Sequence, residues 1–140
     1  MSRYLFALAL LAVCTLPCKA ADSENVRVVT AVIEVNAAKE FVASHEDAVI
    51  MDVRTPVKYE TCHITGAVNV SVQDDSFEYR VIELDPNKTY IVHCTKNPAE
   101  GRSSRALETL QSLGFKHLYS LEGGYVAWRN AELPLTAPSD

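Results

Sequence analysis

Two short runs, Ala48-Val49-Ile50-Met51 and Tyr90-Ile91-Val92-His93, are apolar almost throughout and do not alternate with polar residues. A strand with one wet face alternates. A strand that is apolar at consecutive positions must be covered on both faces, as happens in a parallel sheet with helices above and below it. Ala67-Val68-Asn69-Val70 and His117-Leu118-Tyr119-Ser120 read as further short strands, and Val32-Ile33-Glu34-Val35 alternates as an edge strand does. Helical spacing fills the intervals. Asn36 is placed to cap a helix from Ala37 to about Ser44, with Ala38, Phe41 and Val42 turned inward. Pro56 opens a short helix, and Asp74 to Leu84 has helical spacing at Phe77, Val81 and Ile82. Arg102-Ser103-Ser104 opens another, with Ala106, Leu107, Leu110 and Leu113 on one face and Gly114 as its stop; a last helix runs from Tyr125 to Asn130. Cys62 to Gly66 and Asp85 to Lys88 are turns. Strands alternating with helices predict an α/β fold, a parallel five-stranded sheet flanked by helices in a single domain.

A chain of 140 residues, 48% hydrophobic and 22% charged, suits one domain with a sizeable core. That domain is expected over residues 32–135, after a loose lead-in at 21–31 and before a tail at 136–140. The net charge is −5 and no Lys/Arg run occurs, which argues against a nucleic-acid or anionic-membrane surface. The N-terminus has a separate character. Arg3 gives it a basic start, Tyr4 to Val13 is uninterruptedly apolar, and Cys18-Lys19-Ala20 offers small residues at the −3 and −1 positions. These are the parts of a secretory signal peptide cleaved after Ala20, and the apolar run is too short for stable membrane insertion. Periplasmic or secreted location is the expectation. A lipoprotein acylated at Cys14 or Cys18 is disfavoured, because Val13 and Pro17 are poor residues to precede such a cysteine. Loss of Arg3 and Lys19 takes the net charge from −5 to −7.

Two cysteines then remain, Cys62 and Cys94, too few for a disulfide framework; a single bridge between them stays open. Cys94 follows the apolar run at 90–93 and precedes the helix opened by Arg102, so helix-end N–H groups and the positive end of the dipole point its way. The dipole contributes about 0.3–1 kcal/mol, under one pKa unit. A guanidinium about 5 Å away, at an effective dielectric of about 20, contributes roughly 3 kcal/mol, or about two units. Arg102, with Lys96, is therefore expected to be what makes the Cys94 thiol acidic. The alternative is an inert buried cysteine at a strand end. Ligands in open parallel sheets bind at the carboxyl ends of strands, where Cys94, Asp52 and Arg54 all fall.

Three blocks together make the chain resemble the rhodanese-like sulfurtransferase family in its single-domain exported form. They are Asp52-Val53-Arg54-Thr55-Pro56 with Tyr59, His63-Ile64 and Gly66-Ala67-Val68-Asn69; the Cys94 loop with Arg102-Ser103; and Leu121-Glu122-Gly123-Gly124-Tyr125-Val126-Ala127-Trp128. The resemblance implies that Cys94 carries a persulfide, taken from a small sulfur-containing anion such as thiosulfate and passed to a thiol or cyanide acceptor. It implies that loop N–H groups, with Gly101 and Ser103, cradle the anion while Arg102 binds its sulfonate end. Lys96 either assists or is simply solvated. Asp52 is expected to position the loop through hydrogen bonds, with Arg54 beside it.

The departures are as informative. Arg102 lies eight residues after Cys94, whereas the family usually has five and the related dual-specificity phosphatases six. The longer loop contains Pro98 and Glu100, and leaves a cysteine-dependent phosphatase or oxyanion reductase as one alternative. A non-catalytic sulfur-carrier or redox module, with Cys62 as partner to Cys94, is another. Lys58 stands where the family commonly has a glutamate able to pair with Arg54, so that either Glu60 substitutes or Arg54 is freed. Cys62 replaces a common glycine and reads as a small filler or a candidate redox partner. His63 and His93 read as packing or hydrogen-bonding residues, Trp128 as core and Arg105 as solvated helix surface. No Cys/His spacing resembles a zinc site, and no cofactor is implied. Nothing in the sequence sets an oligomeric state.

Overall fold

The computed structural model describes residues 29–98 and 100–138. The leader, its cleavage site, Cys14, Cys18 and the first part of the lead-in lie outside those residues. Within them the chain runs β1 (Val29–Ile33), α1 (Val35–Ser44), β2 (Ala48–Asp52), α2 (Pro56–Thr61), β3 (His63–Ile64), β4 (Val68–Asn69), α3 (Phe77–Val81), β5 (Thr89–His93), α4 (Arg102–Ser112), β6 (His117–Leu121), α5 (Gly124–Asn130) and β7 (Leu135–Thr136). Five strands form one parallel sheet in the order β1-β6-β5-β2-β4. β3 and β7 make a separate antiparallel pair.

The unalternating apolar runs are explained by cover on both faces. Ile50 of β2 and Ile91 of β5 face one side, against Val35, Ala38, Ile64, Leu121 and Trp128. Met51, Tyr90 and Val92 face the other, against Val81, Leu107, Leu110, Phe115 and Leu118. Burying each such side chain stabilises the fold by about 1.5–3 kcal/mol. The core is therefore two apolar layers with the sheet between them, and β5, between β6 and β2, lies at its centre.

Four element boundaries differ from the sequence reading. The edge strand begins earlier, at Val29, within the expected lead-in, and ends at Ile33. Val35 is not strand but the first residue of α1. Glu34 caps that helix instead of Asn36, because its carboxylate reaches the N–H groups of Asn36 (3.1 Å) and Ala37 (3.2 Å), two donors a helix start leaves unpaired. Residues 63–64, read as part of a turn, pair with Leu135–Thr136, which draws the start of the expected tail into the fold. The helix in residues 74–84 is confined to Phe77–Val81.

α4 stops as its sequence predicts. Gly114 adopts φ +86°, and its N–H and that of Phe115 donate to the carbonyls of Gln111 (3.0 Å) and Leu110 (3.1 Å). Leu110 is fully buried beneath this cap. Leu110→Ala is expected to cost about 2–5 kcal/mol, because a packed layer under the sheet cannot collapse around the missing atoms. Urea unfolding with an unchanged m value and a lowered midpoint is the measurement that checks it.

Candidate active site

Cys94 follows the last residue of the central strand, and α4 begins eight residues later at Arg102. The connection is shaped by Asn97. Its side-chain oxygen accepts from the Cys94 N–H at 2.5 Å, while its Nδ2 donates to the Val92 carbonyl and to Ser120 Oγ, each at 3.1 Å. Asn97 takes φ +46°, a left-handed conformation that asparagine tolerates better than most residues. The loop thus turns back over the strand end it has just left.

A second clamp comes from α5. The N–H groups of Tyr125 and Val126 each donate at 3.0 Å, to the carbonyls of Cys94 and Thr95. Such closeness requires glycine at position 124. A Cβ there would stand 2.7 Å from the Cys94 carbonyl oxygen and 3.1 Å from the Lys96 nitrogen, and its φ is +60°. Gly101 has a different use from the one expected of it. Its N–H donates to the Pro98 carbonyl at 3.0 Å and its open face packs on the Pro98 ring, so that amide is not free for an anion.

Cys94 is buried, with 3% of its surface exposed, and its sulfur lies 3.6 Å from Ser103 Oγ. Burial pushes the thiol up. The Ser103 hydroxyl and the N–H groups of Ser103, Asn97 and Lys96 more than offset this, and the thiol ends below its ordinary value. The expected source of acidity is thus corrected. The groups acting on the sulfur are dipoles, one hydroxyl and three amides, and not the Arg102 guanidinium or the Lys96 ammonium. Lys96 contributes through its backbone, while Arg102 Nη1 reaches Gln73 Oε1 at 3.4 Å. A pocket of about 470 Å³ opens over Cys94, lined by Thr95, Lys96, Gly101 and Arg102 among others.

Asp52 and Arg54 form a unit of their own. The Arg54 side chain donates to both oxygens of the Asp52 carboxylate, Nη2 at 2.6 Å and Nε at 3.0 and 2.9 Å, and its backbone N–H adds a bond at 2.9 Å. Both residues are almost wholly buried. Asp52 therefore holds Arg54, not the cysteine loop, and Arg54 is neither freed nor left to Glu60. The guanidinium also donates to the Cys62 carbonyl at 2.9 Å and lies 4.1 Å over the Tyr125 ring. Cys62 and Cys94 are both free thiols. Hydrogen bonding to Cys62, with burial second, holds the Tyr125 phenol above its ordinary value. His63 bonds the Tyr59 carbonyl at 2.8 Å and stacks on that ring at 3.8 Å. Among the described residues no group of three or more His, Cys, Asp or Glu side chains converges as a metal site.

His93 is fully buried beside the nucleophile. Its Nδ1 donates to the Cys94 carbonyl at 3.1 Å, which leaves Nε2 bare, 3.8 Å from Asp52 and without a hydrogen-bond partner. Burial is the largest influence and pushes the imidazole below 6.5, despite the Asp52 carboxylate.

Asn97, Gly124 and His93 are the contributors that the sequence reading had not placed in the site. An asparagine three residues after the loop cysteine is a local signal for a left-handed turn. The role of Gly124 depends on a contact thirty residues away in sequence.

Substituting Ser103 by Ala, or Asn97 by Ala, is expected to raise the Cys94 pKa toward that of a free thiol and to slow alkylation near neutral pH. A pH profile of iodoacetamide labelling measures both changes. His93 makes a second prediction. An unfolded imidazole takes a proton as pH falls through about 6.5, and the folded one resists until lower pH. The unfolded state then binds more protons, so stability is complete above that value and falls below it by up to about 1.4 kcal/mol per pH unit. Denaturant midpoints between pH 7.5 and 5.5 should show this slope, flattened in His93→Gln.

Comparison with known proteins adds four findings. The family model described as Rhodanese-like domain matches residues 25–131. The chain is 31% identical over 106 residues to the thiosulfate sulfurtransferase GlpE of Vibrio cholerae, covering 75% of this chain and 93% of that one. Among solved structures, a rhodanese-related protein from Thermoplasma volcanium shares the fold with a TM-score of 0.64 at 24% identity, over 76% of this chain and 97% of the other. A Rhodopseudomonas palustris protein described as a possible tyrosine phosphatase aligns with a TM-score of 0.59 at 26% identity, over 76% of this chain and 85% of its own.

Proposed function

Because this chain belongs to the rhodanese-like family, we propose that it moves sulfane sulfur from thiosulfate or a related donor to a thiol or cyanide acceptor, through a persulfide on Cys94. The observation that carries this reading is the acidified thiol at the end of the central strand, faced by the Ser103 hydroxyl and three amide N–H groups. A lowered thiol pKa favours the thiolate, which is the nucleophilic form. The Cys94 sulfur attacks the outer sulfur of thiosulfate. A new S–S bond forms, the S–S bond of the donor breaks, and sulfite leaves with its electron pair. Cyanide or a thiolate then attacks the outer sulfur, and Cys94 departs as thiolate. No proton, metal or external oxidant is needed. The amides that stabilise the resting anion remain beside the growing and departing charge.

The Vibrio cholerae relative, named a thiosulfate sulfurtransferase, supports thiosulfate as a donor. Arg102 lines the pocket and is the residue proposed to meet the sulfite end once a donor is bound. With the leader read at residues 1–20, the reaction is proposed to run outside the cytoplasm, in the periplasm or secreted. The likeness to a possible tyrosine phosphatase gives a second reading. Faster hydrolysis of an aryl phosphate than sulfur transfer would favour that reading.

Intact-mass measurement after thiosulfate treatment tests the proposal. The protein should gain the mass of one sulfur atom, lose it to cyanide as thiocyanate, and do neither as Cys94→Ser. Turnover of the serine variant at the parent rate, or hydrolysis of an aryl phosphate faster than sulfur transfer, would overturn it.

A further inference from the structure

The first turn of α5 holds the nucleophile loop but is weakly held by its own sequence. Gly123, its N-cap, and Gly124, its first residue, take φ of +66° and +60°, and no side chain caps the helix. Glycine has the widest conformational freedom of any residue, so two in succession leave this entry loose unless something outside seats it. Tyr125 is the first side chain after them. Its ring lies under the Arg54 guanidinium at 4.1 Å, whereas Arg129 stands off at 6.0 Å. Arg54 is itself immobile. Asp52 and the Cys62 carbonyl take its side-chain N–H groups at 2.6–3.0 Å, in a place almost closed to solvent. A buried ion pair is weak evidence of net stability, so this one invites another use. What the turn seats is the direction of an amide. The Val126 N–H donates to the Thr95 carbonyl at 3.0 Å. In a planar trans peptide the carbonyl and the following N–H point opposite ways, so this bond turns the Lys96 N–H away from α5. That N–H is one of those acting on the Cys94 sulfur. The Tyr125 N–H at 3.0 Å, with His93 Nδ1 at 3.1 Å, fixes the Cys94 carbonyl in the same way.

We propose that Arg54 is a positioning residue for the nucleophile: by holding the Tyr125 ring it seats α5, and α5 keeps the loop peptides turned so that their amides face the sulfur. This rests on Cys94 being the nucleophile of the sulfurtransferase reading. Arg54 acts through Tyr125 and takes no part in the bond changes. Trp128, buried three residues further on, donates from Nε1 to the Pro134 carbonyl at 3.1 Å and keeps the rest of α5 in place. Loss of the ring contact therefore loosens the seat without unfolding the helix.

The test is the pH profile of iodoacetamide labelling in the full chain, read by mass at the peptide that carries Cys94. Tyr125→Phe keeps the ring and should keep the parent midpoint. Tyr125→Leu should raise the midpoint by about half a unit to one unit and slow labelling below it about 3- to 10-fold, the worth of a cation over an aromatic face. Phenylalanines of increasing ring fluorination at position 125 should raise it stepwise. Fluorine drains negative charge from the ring face while scarcely changing its size, so a ring that only filled space would not respond. A parent midpoint in Tyr125→Leu, equal shifts in Tyr125→Phe and Tyr125→Leu, or a flat fluorine series overturns the assignment. Thiosulfate loading of the same proteins, followed by intact mass, keeps the two readings apart. A parent protein that takes up no sulfur removes the sulfurtransferase reading, whereas a parent that loads beside a flat series removes only the role of Arg54.

Discussion

The side chain of Asn97 is the contact on which the site depends. By taking the Cys94 N–H and giving its own N–H groups to Val92 and Ser120, it folds the loop over the strand that precedes it. That folding lets the amides of Lys96 and Asn97, and the start of α4 at Ser103, act on one sulfur atom. Each contact is a neutral dipole of modest strength. Their sum exceeds the burial penalty because they converge on one largely buried sulfur, where the effective dielectric is lower than in water. Acidity here is a property of backbone arrangement, held by one amide side chain.

The charges around the site fall into two groups, a buried pair and the side chains that line the pocket. Inside, Asp52 and Arg54 neutralise one another in the core and, through the Cys62 carbonyl and the Tyr125 ring, tie α2 to the start of α5. A buried pair of this kind is a poor guide to net stability, but removing one partner would leave an uncompensated charge. Outside, four cations stand round the pocket mouth.

Much of this was legible in the sequence, and the parts that were not have separate causes. The parallel sheet followed from consecutive apolar residues in β2 and β5, since only cover on both faces permits them. Cys94 at a strand end, Pro56 at the start of α2 and Gly114 at the close of α4 are local signals, read from neighbours in the chain. Glu34 as the cap of α1 was missed because its carboxylate is longer than the usual capping side chains, and Asn36 beside it fits the commoner pattern. The Arg102 expectation failed on direction. The guanidinium reaches Gln73, a direction that spacing alone does not encode. Gly124 acts through partners that only the folded topology brings near, whereas Asp52 pairs with a residue two positions on, an orientation that the sequence alone did not settle.

The grip of α5 on the loop carries one more implication. Two of the hydrogen bonds that seat Cys94 and Thr95 come from residues 125 and 126, close to the end of the domain. A ribosome delivers the nucleophile long before it delivers its clamp. During synthesis the thiol would exist for some thirty residues as an ordinary side chain, with its turn unsecured. Reactivity arrives late, and this order shields a nascent polypeptide from premature oxidation or alkylation at Cys94.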